Sequence, residues 1–120
     1  MNRITARIKR YTRRRRSVRK NIFGSPTRPR LTVTRSGKNM YAQVIDDTSG
    51  KTICSASTIE KDGKVDGGSN CSAAIEIGTR IAAKAKKAGV DTVIFDRNAY
   101  RYHGRVKALA EPARKGGLKF

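Results

Sequence analysis

Acidic side chains are absent from the first thirty residues of this chain, and tryptophan is absent from all of it. Nine Asp and Glu face 28 Lys and Arg, which leaves a net charge of +19. Cysteine is limited to Cys54 and Cys71 and histidine to His103. Two cysteines and one histidine are too few for a four-ligand zinc site, and a lone His with no second His or nearby Cys supports neither a metal centre nor a His-based catalytic pair. No window approaches the roughly 18 consecutive apolar residues of a membrane span. The N-terminus also lacks the apolar stretch of a signal peptide. The expectation is a cytosolic protein without a membrane partner, its two thiols reduced and buried as small hydrophobes. An Arg-rich start has some likeness to an organelle transit peptide, but serine is sparse and the basic block runs on into Arg28-Pro29-Arg30.

What fills the first thirty residues instead is base: twelve Lys or Arg, ten of them between Arg3 and Lys20. Arg3, Arg7, Arg10 and Arg14 recur at helical spacing beside a second stripe of Ile4, Ile8 and Tyr11, and Arg13, Arg14, Arg15 and Arg16 form an unbroken run. Such a helix repels itself and has little apolar surface to offset the entropy of ordering, so it should fold against a polyanion. Arg19 and Lys20 extend the charge. Asn21 to Pro29, with Gly24, Pro26 and Pro29, reads as a linker that breaks the helix. Residues 1–27 are therefore an arm and linker, and 28–120 one domain of about ninety residues with a single modest core.

Within that domain Arg30 to Arg35 alternates with period two, Leu31 and Val33 on one face, and reads as a half-buried strand. Ser36 to Asn39 and Asp47 to Gly50 carry turn chemistry. They separate Met40–Asp46 and Lys51–Ser57, two further strands of an antiparallel meander. After a polar connection from Ile59 to Ser69, Ala74, Ile77, Gly78, Ile81, Ala85 and Ala88 make a helical stripe, with Ser69, Asn70 or Ser72 as candidate N-cap and Gly89 as the stop. Val90 to Phe95 reads as a fourth strand, parallel to a neighbour through a right-handed crossover. Val106, Leu109, Ala110 and Ala113 mark a last helix, closed by Gly116-Gly117, in which Pro112 should produce a kink. The order is β-β-β-α-β-α in a mixed α/β fold.

Candidate chemistry is sparse. Ser49-Gly50-Lys51-Thr52 ends like a P-loop, but the first glycine of that motif would fall at Ile45, and the run lies between strands. Asp46, Asp47 and Asp96 stand at the ends of strands, which keeps a ribonuclease H-like metal-dependent nuclease as the enzymatic alternative. Against it, Asp is favoured on backbone grounds before a Thr-Ser-Gly turn. The connection from Phe95 to Arg105 is more informative: Arg97, Tyr100, Tyr102, His103 and Arg105 mix guanidinium groups with flat rings. That combination suits RNA, where cations meet phosphate and rings stack on unpaired bases. One of the two tyrosines is expected to cover the sheet instead.

RPRLTVTRSGKNMYAQVIDD (Arg28 to Asp47) and FDRNAYRYHGRVKALAEPARKGGLKF (Phe95 to Phe120), together with the arginine-rich arm, resemble the bacterial large-subunit ribosomal protein family L-eighteen. The resemblance covers essentially the whole chain. It implies a translational-machinery-component (ribonuclease H-like) fold, no catalysis, no cofactor and no small-molecule substrate. It also implies binding of 5S rRNA and attachment to 23S rRNA in the central protuberance, beside other large-subunit ribosomal proteins. On that reading the arm cooperates with a preformed surface around Arg28, Arg30, Arg35, Ser36, Lys38, Asn39 and Tyr41. A non-specific basic nucleic-acid binder would use the same charge.

Overall fold

The computed structural model describes residues 2–20, 22–35, 39–59, 71–98, 100 and 102–120. Its elements are α1 (Arg3–Arg19), β1 (Arg30–Arg35), β2 (Met40–Asp46), β3 (Lys51–Ser57), α2 (Cys71–Lys87), β4 (Ile94–Asp96) and α3 (Arg105–Lys115). The strands form one sheet in the order β3-β2-β1-β4. β1, β2 and β3 pair antiparallel in sequence, and β4 returns parallel to β1. A slip between Val44 and Ile45 places a bulge where β2 meets β3.

Period-two alternation decides which face of the sheet is covered. Leu31, Val33, Met40, Ala42 and Val44 are fully buried and share a core with Ile77, Ile81 and Ala85 of α2 and Leu109 and Ala113 of α3. Residues of opposite parity, among them Thr34, Tyr41 and Gln43, leave the other face polar and partly open. The alanine stripe of α2 allows the two helices to cross closely. At Gly78 a side chain would overlap the Leu109 carbonyl of α3, so only glycine fits.

Both domain helices end by the same device. Gly89 takes φ +82° while Val90 N–H donates to the Ala85 carbonyl (2.8 Å) and Gly89 N–H to that of Lys86 (3.0 Å). Gly117 takes φ +107°, with Leu118 N–H on Ala113 and Gly117 N–H on Arg114. These are Schellman closures, which consume the orphan carbonyls of each last turn. α3 continues through Pro112 to Lys115.

Three local expectations need correction. The fourth strand starts at Ile94 and not at Val90, because the C-terminal tail takes the preceding backbone: Val93 N–H donates to Lys119 (3.0 Å) and Lys119 N–H to Asp91 (2.9 Å). Ala88 lies beyond the end of α2 and is exposed. Cys71 is exposed in the first turn of α2 and only Cys54 is partly buried. Burial pushes the Cys54 thiol above its usual range, and the charge of Lys84 works against that shift. The caps Ser69 and Asn70 lie outside the described residues.

Candidate nucleic-acid interface

Seventeen residues of α1 contain no acid, so nothing within the helix neutralises its cations. Asn2 caps it, its side-chain oxygen accepting from Thr5 N–H at 2.8 Å. Arg3, Arg7, Arg10, Arg13, Arg14 and Arg16 are exposed, as is Lys20 just beyond; Arg15 is half-buried, its guanidinium 5.6 Å from the Tyr11 ring centroid. The Arg19 side chain lies outside the described residues. Ile4 and Ile8 stand 69% and 59% exposed, so the apolar stripe is not used for packing over its N-terminal half.

At Tyr11 the stripe reaches the body. Its ring sits 6.0 Å from that of Tyr100, tilted by 56°. Tyr100 is itself held: its hydroxyl accepts from Arg35 N–H (3.3 Å) and donates to Arg35 C=O (3.1 Å), while the Arg35 guanidinium lies 4.7 Å above its ring. Asn98, in the left-handed region at φ +62°, donates its side-chain amide to Val33 C=O at 3.0 Å. β4 pairs only with Arg30 to Thr32. Side chains of the loop after it therefore take over the rest of that edge of β1.

Arg30 faces inward. Its Nε and one terminal nitrogen hold both oxygens of Asp47 at 3.0 Å, and the other nitrogen reaches Asp96 at 2.8 Å. Its side chain is 13% exposed and that of Asp96 is 0%. Burial alone lowers the guanidinium pKa, but hydrogen bonds and charge from Asp47 and Asp96 outweigh it and hold the group above its ordinary value. Asp47 also accepts from Gly24 N–H (2.8 Å), and Asp47 N–H donates to Gly24 C=O (2.9 Å), so the linker is fastened to the sheet. A Cβ at Gly24 would lie 2.6 Å from both Arg30 N and Ile45 O, which explains glycine there.

The carboxylates that suggested a nuclease are thus placed differently. Asp47 and Asp96 share one guanidinium, and Asp46 closes the turn by accepting from Thr48 N–H (3.0 Å) and the Ser49 hydroxyl (3.1 Å). Among the described residues no three His, Cys, Asp or Glu side chains are grouped to hold a metal ion.

The remaining candidates fall in two places. Arg28 is exposed at the end of a turn closed by Ser25, Arg35 is exposed at the end of β1, and Tyr41 lies half-buried opposite Thr34 on the open sheet face. Asn39 accepts from the Thr58 hydroxyl (2.9 Å), which fixes the entry to β2. Ser36 and Lys38 lie outside the described residues. In the second place Tyr102 (40% exposed) meets Phe95 edge-on, and Phe95 stacks on Phe120 beneath the Arg114 guanidinium. His103 is exposed beside it, with Arg97 and Arg105 half-buried. Arg97 donates to Tyr100 C=O. Periodicity put Tyr11 on the apolar stripe of the arm but named no partner for it, and it gave no sign of the roles of Gly24 and Asn98; asparagine's tolerance of positive φ was the one available hint there.

A cationic helix, a polar sheet face and strand-end carboxylates spent on the Arg30 ion pair and on a turn define a small, strongly basic structural protein. The family described as ribosomal L18 of archaea, bacteria, mitochondria and chloroplast matches residues 5–120. A large ribosomal subunit protein uL18 from Rhizobium etli is 52% identical over 120 residues, covering 98% of this chain and all of that protein. Its counterpart from Bacillus mycoides is 51% identical over 98% of this chain and 99% of its own length, and that from Pelotomaculum thermopropionicum 56% identical over 90% of each. The chain belongs to the ribosomal L18 family and is a structural, non-enzymatic constituent of the large ribosomal subunit.

Proposed function

We propose that the protein binds 5S rRNA and helps attach it to 23S rRNA in the central protuberance, next to other large-subunit ribosomal proteins. The observation that carries this is the polarised charge: an acid-free helix standing on a body that holds all nine acidic residues. Residues 1–27 serve as arm and linker, and 28–120 as the RNA-binding α/β domain. Arg3, Arg7, Arg10, Arg13 to Arg16, Arg19 and Lys20 neutralise phosphates and release counterions. Arg28, Arg35, Asn39 and Tyr41 supply a preformed surface that reads RNA shape, and Ser36 and Lys38 are assigned to the same RNA contact. Arg30 drops out of this contact set, because its Nε and both terminal nitrogens are each turned to Asp47 or Asp96 and its side chain is only 13% exposed. Arg97, Tyr102, His103 and Arg105 form a second surface, toward 23S rRNA; Tyr100 leaves that set, because it is bound to Arg35 at the end of β1 and lies against Tyr11 of the arm. The parallel return of β4 beside β1 supports assigning the fold to the ribonuclease H-like type.

Filter binding of the intact protein to 5S rRNA, a random RNA of equal length and duplex DNA at one salt concentration tests the reading. Preference for 5S rRNA is the expected result. Equal affinity for all three would leave only a non-specific basic binder.

A further inference from the structure

Three aromatic rings and one guanidinium are piled where the C-terminal tail runs past the residues that lead into β4. Tyr102 meets Phe95 edge-on (centroids 5.9 Å apart, 88°), Phe95 stacks nearly parallel on Phe120 (5.4 Å, 13°), and the Arg114 guanidinium carbon lies 4.6 Å from the Phe120 ring centroid. Backbone holds both ends of the pile. Leu118 is buried and Lys119 bonds to Asp91 and Val93, so Phe120 stands on a pinned tail. Arg114 lies in the last turn of α3, where its carbonyl accepts from Gly117 N–H at 3.0 Å. One of its terminal nitrogens comes within 3.5 Å of the Tyr102 hydroxyl, at the outer limit of a hydrogen bond. Arg114 and Tyr102 are nevertheless exposed. Glu111, the acid of α3, is paired with Lys107 at 3.9 Å and not with Arg114.

We propose that Arg114 is a stacking platform for an unpaired base of ribosomal RNA, with Phe120 behind it and Tyr102 at its side. A guanidinium held over a ring has one face occupied and offers the other as a charged plane, and bases of single-stranded RNA stack on such planes. Because the fold already holds the long arginine side chain against Phe120, less of its rotamer freedom is left to lose when RNA arrives. The inference rests on the proposed RNA role of the surface that carries Tyr102 and His103, and it adds a base contact to the charge contacts of Arg97 and Arg105.

The test replaces Arg114 with Lys, which keeps the charge and loses the plane, and with Ala, which loses both. Each variant competes with the unaltered protein for 5S rRNA in filter binding and for incorporation into large subunits reconstituted from purified rRNA and proteins. Stacking of one base is worth about five- to a hundredfold in affinity. Competitive incorporation of Arg114→Lys should fall by that amount, close to the fall in Arg114→Ala, while 5S affinity and the urea midpoint hold. A loss in Arg114→Ala that Arg114→Lys restores means a charge contact, to phosphate or to a carboxylate of a neighbouring protein, and overturns the platform. A loss in Arg114→Lys that comes with a lowered urea midpoint traces to the fold and overturns it too, as does normal behaviour of both variants in both assays. If the loss in Arg114→Lys appears instead in filter binding to isolated 5S rRNA, the platform stands and the assignment of this surface to 23S rRNA fails.

Discussion

Replacing Arg30 with methionine removes one guanidinium and leaves two carboxylates behind. Asp96 is fully buried and Asp47 is 20% exposed, so neither recovers the hydration it had in the unfolded chain. Breaking a buried ion pair from one side costs about 3–5 kcal/mol, because the orphaned charge keeps its desolvation penalty without its partner. Against a typical total of roughly 5–15 kcal/mol, such a loss should be plain in urea denaturation followed by far-ultraviolet circular dichroism. The sign of the pH dependence follows from the same burial. Without its cation, Asp96 in the folded variant has a pKa raised above the unfolded value of about 3.9. The folded variant then holds a proton that the unfolded chain gives up, so its stability falls as pH rises past that value. The gap between variant and unaltered protein should therefore be full at pH 7 and shrink toward pH 4. Adding Asp96→Asn should recover part of the loss at pH 7, since the amide oxygen still accepts from Asn98 N–H, as Asp96 does at 2.9 Å. A loss below about 1 kcal/mol at pH 7, or a gap that widens on acidification, would refute the assignment of Arg30 to the fold.

Deleting residues 1–20 should leave the sheet and its two helices folded, and the slope of log affinity for 5S rRNA against log salt should flatten by about four to five units if six phosphate contacts are lost; an unchanged slope in binding titrations contradicts the role given to the arm. Arg97→Ala with Arg105→Ala should spare most binding to isolated 5S rRNA but impair incorporation of the complex into large subunits, at about 1–3 kcal/mol per lost contact; normal reconstitution with weakened 5S binding would exchange the two surfaces. Gly78→Ala should destabilise by about 1–3 kcal/mol or more in the same urea assay, since its Cβ meets backbone of α3 that cannot rotate away; a neutral result would mean the helices separate at no cost.

Short-range physics made much of the molecule legible in the sequence. Period-two alternation in Arg30–Arg35 and Met40–Asp46, the turn chemistry of Asp47-Thr48-Ser49-Gly50, the alanine stripe of α2 and the closures at Gly89 and Gly117 each depend on residues a few positions apart. Apart from Ala88, which falls beyond α2, and Thr32, which is buried on the otherwise open face of β1, they appear in the structure where the pattern put them. Net charge and its absence of acid over thirty residues are likewise properties of the chain alone. What tertiary structure decided is which of those basic and aromatic side chains remain available. Arg28, Arg30 and Arg35 look alike in sequence, yet Arg30 alone sits where β1 brings it between Asp47, seventeen residues on, and Asp96, sixty-six residues on. Tyr100 and Tyr102 are two positions apart; one is bound to the end of β1 and the other is exposed beside Phe95. The start of β4 was lost to Lys119 of the C-terminal tail, twenty-six residues beyond Val93, for the same reason: hydrogen bonds and ion pairs are settled by distance in space, and a one-dimensional pattern holds no record of that distance.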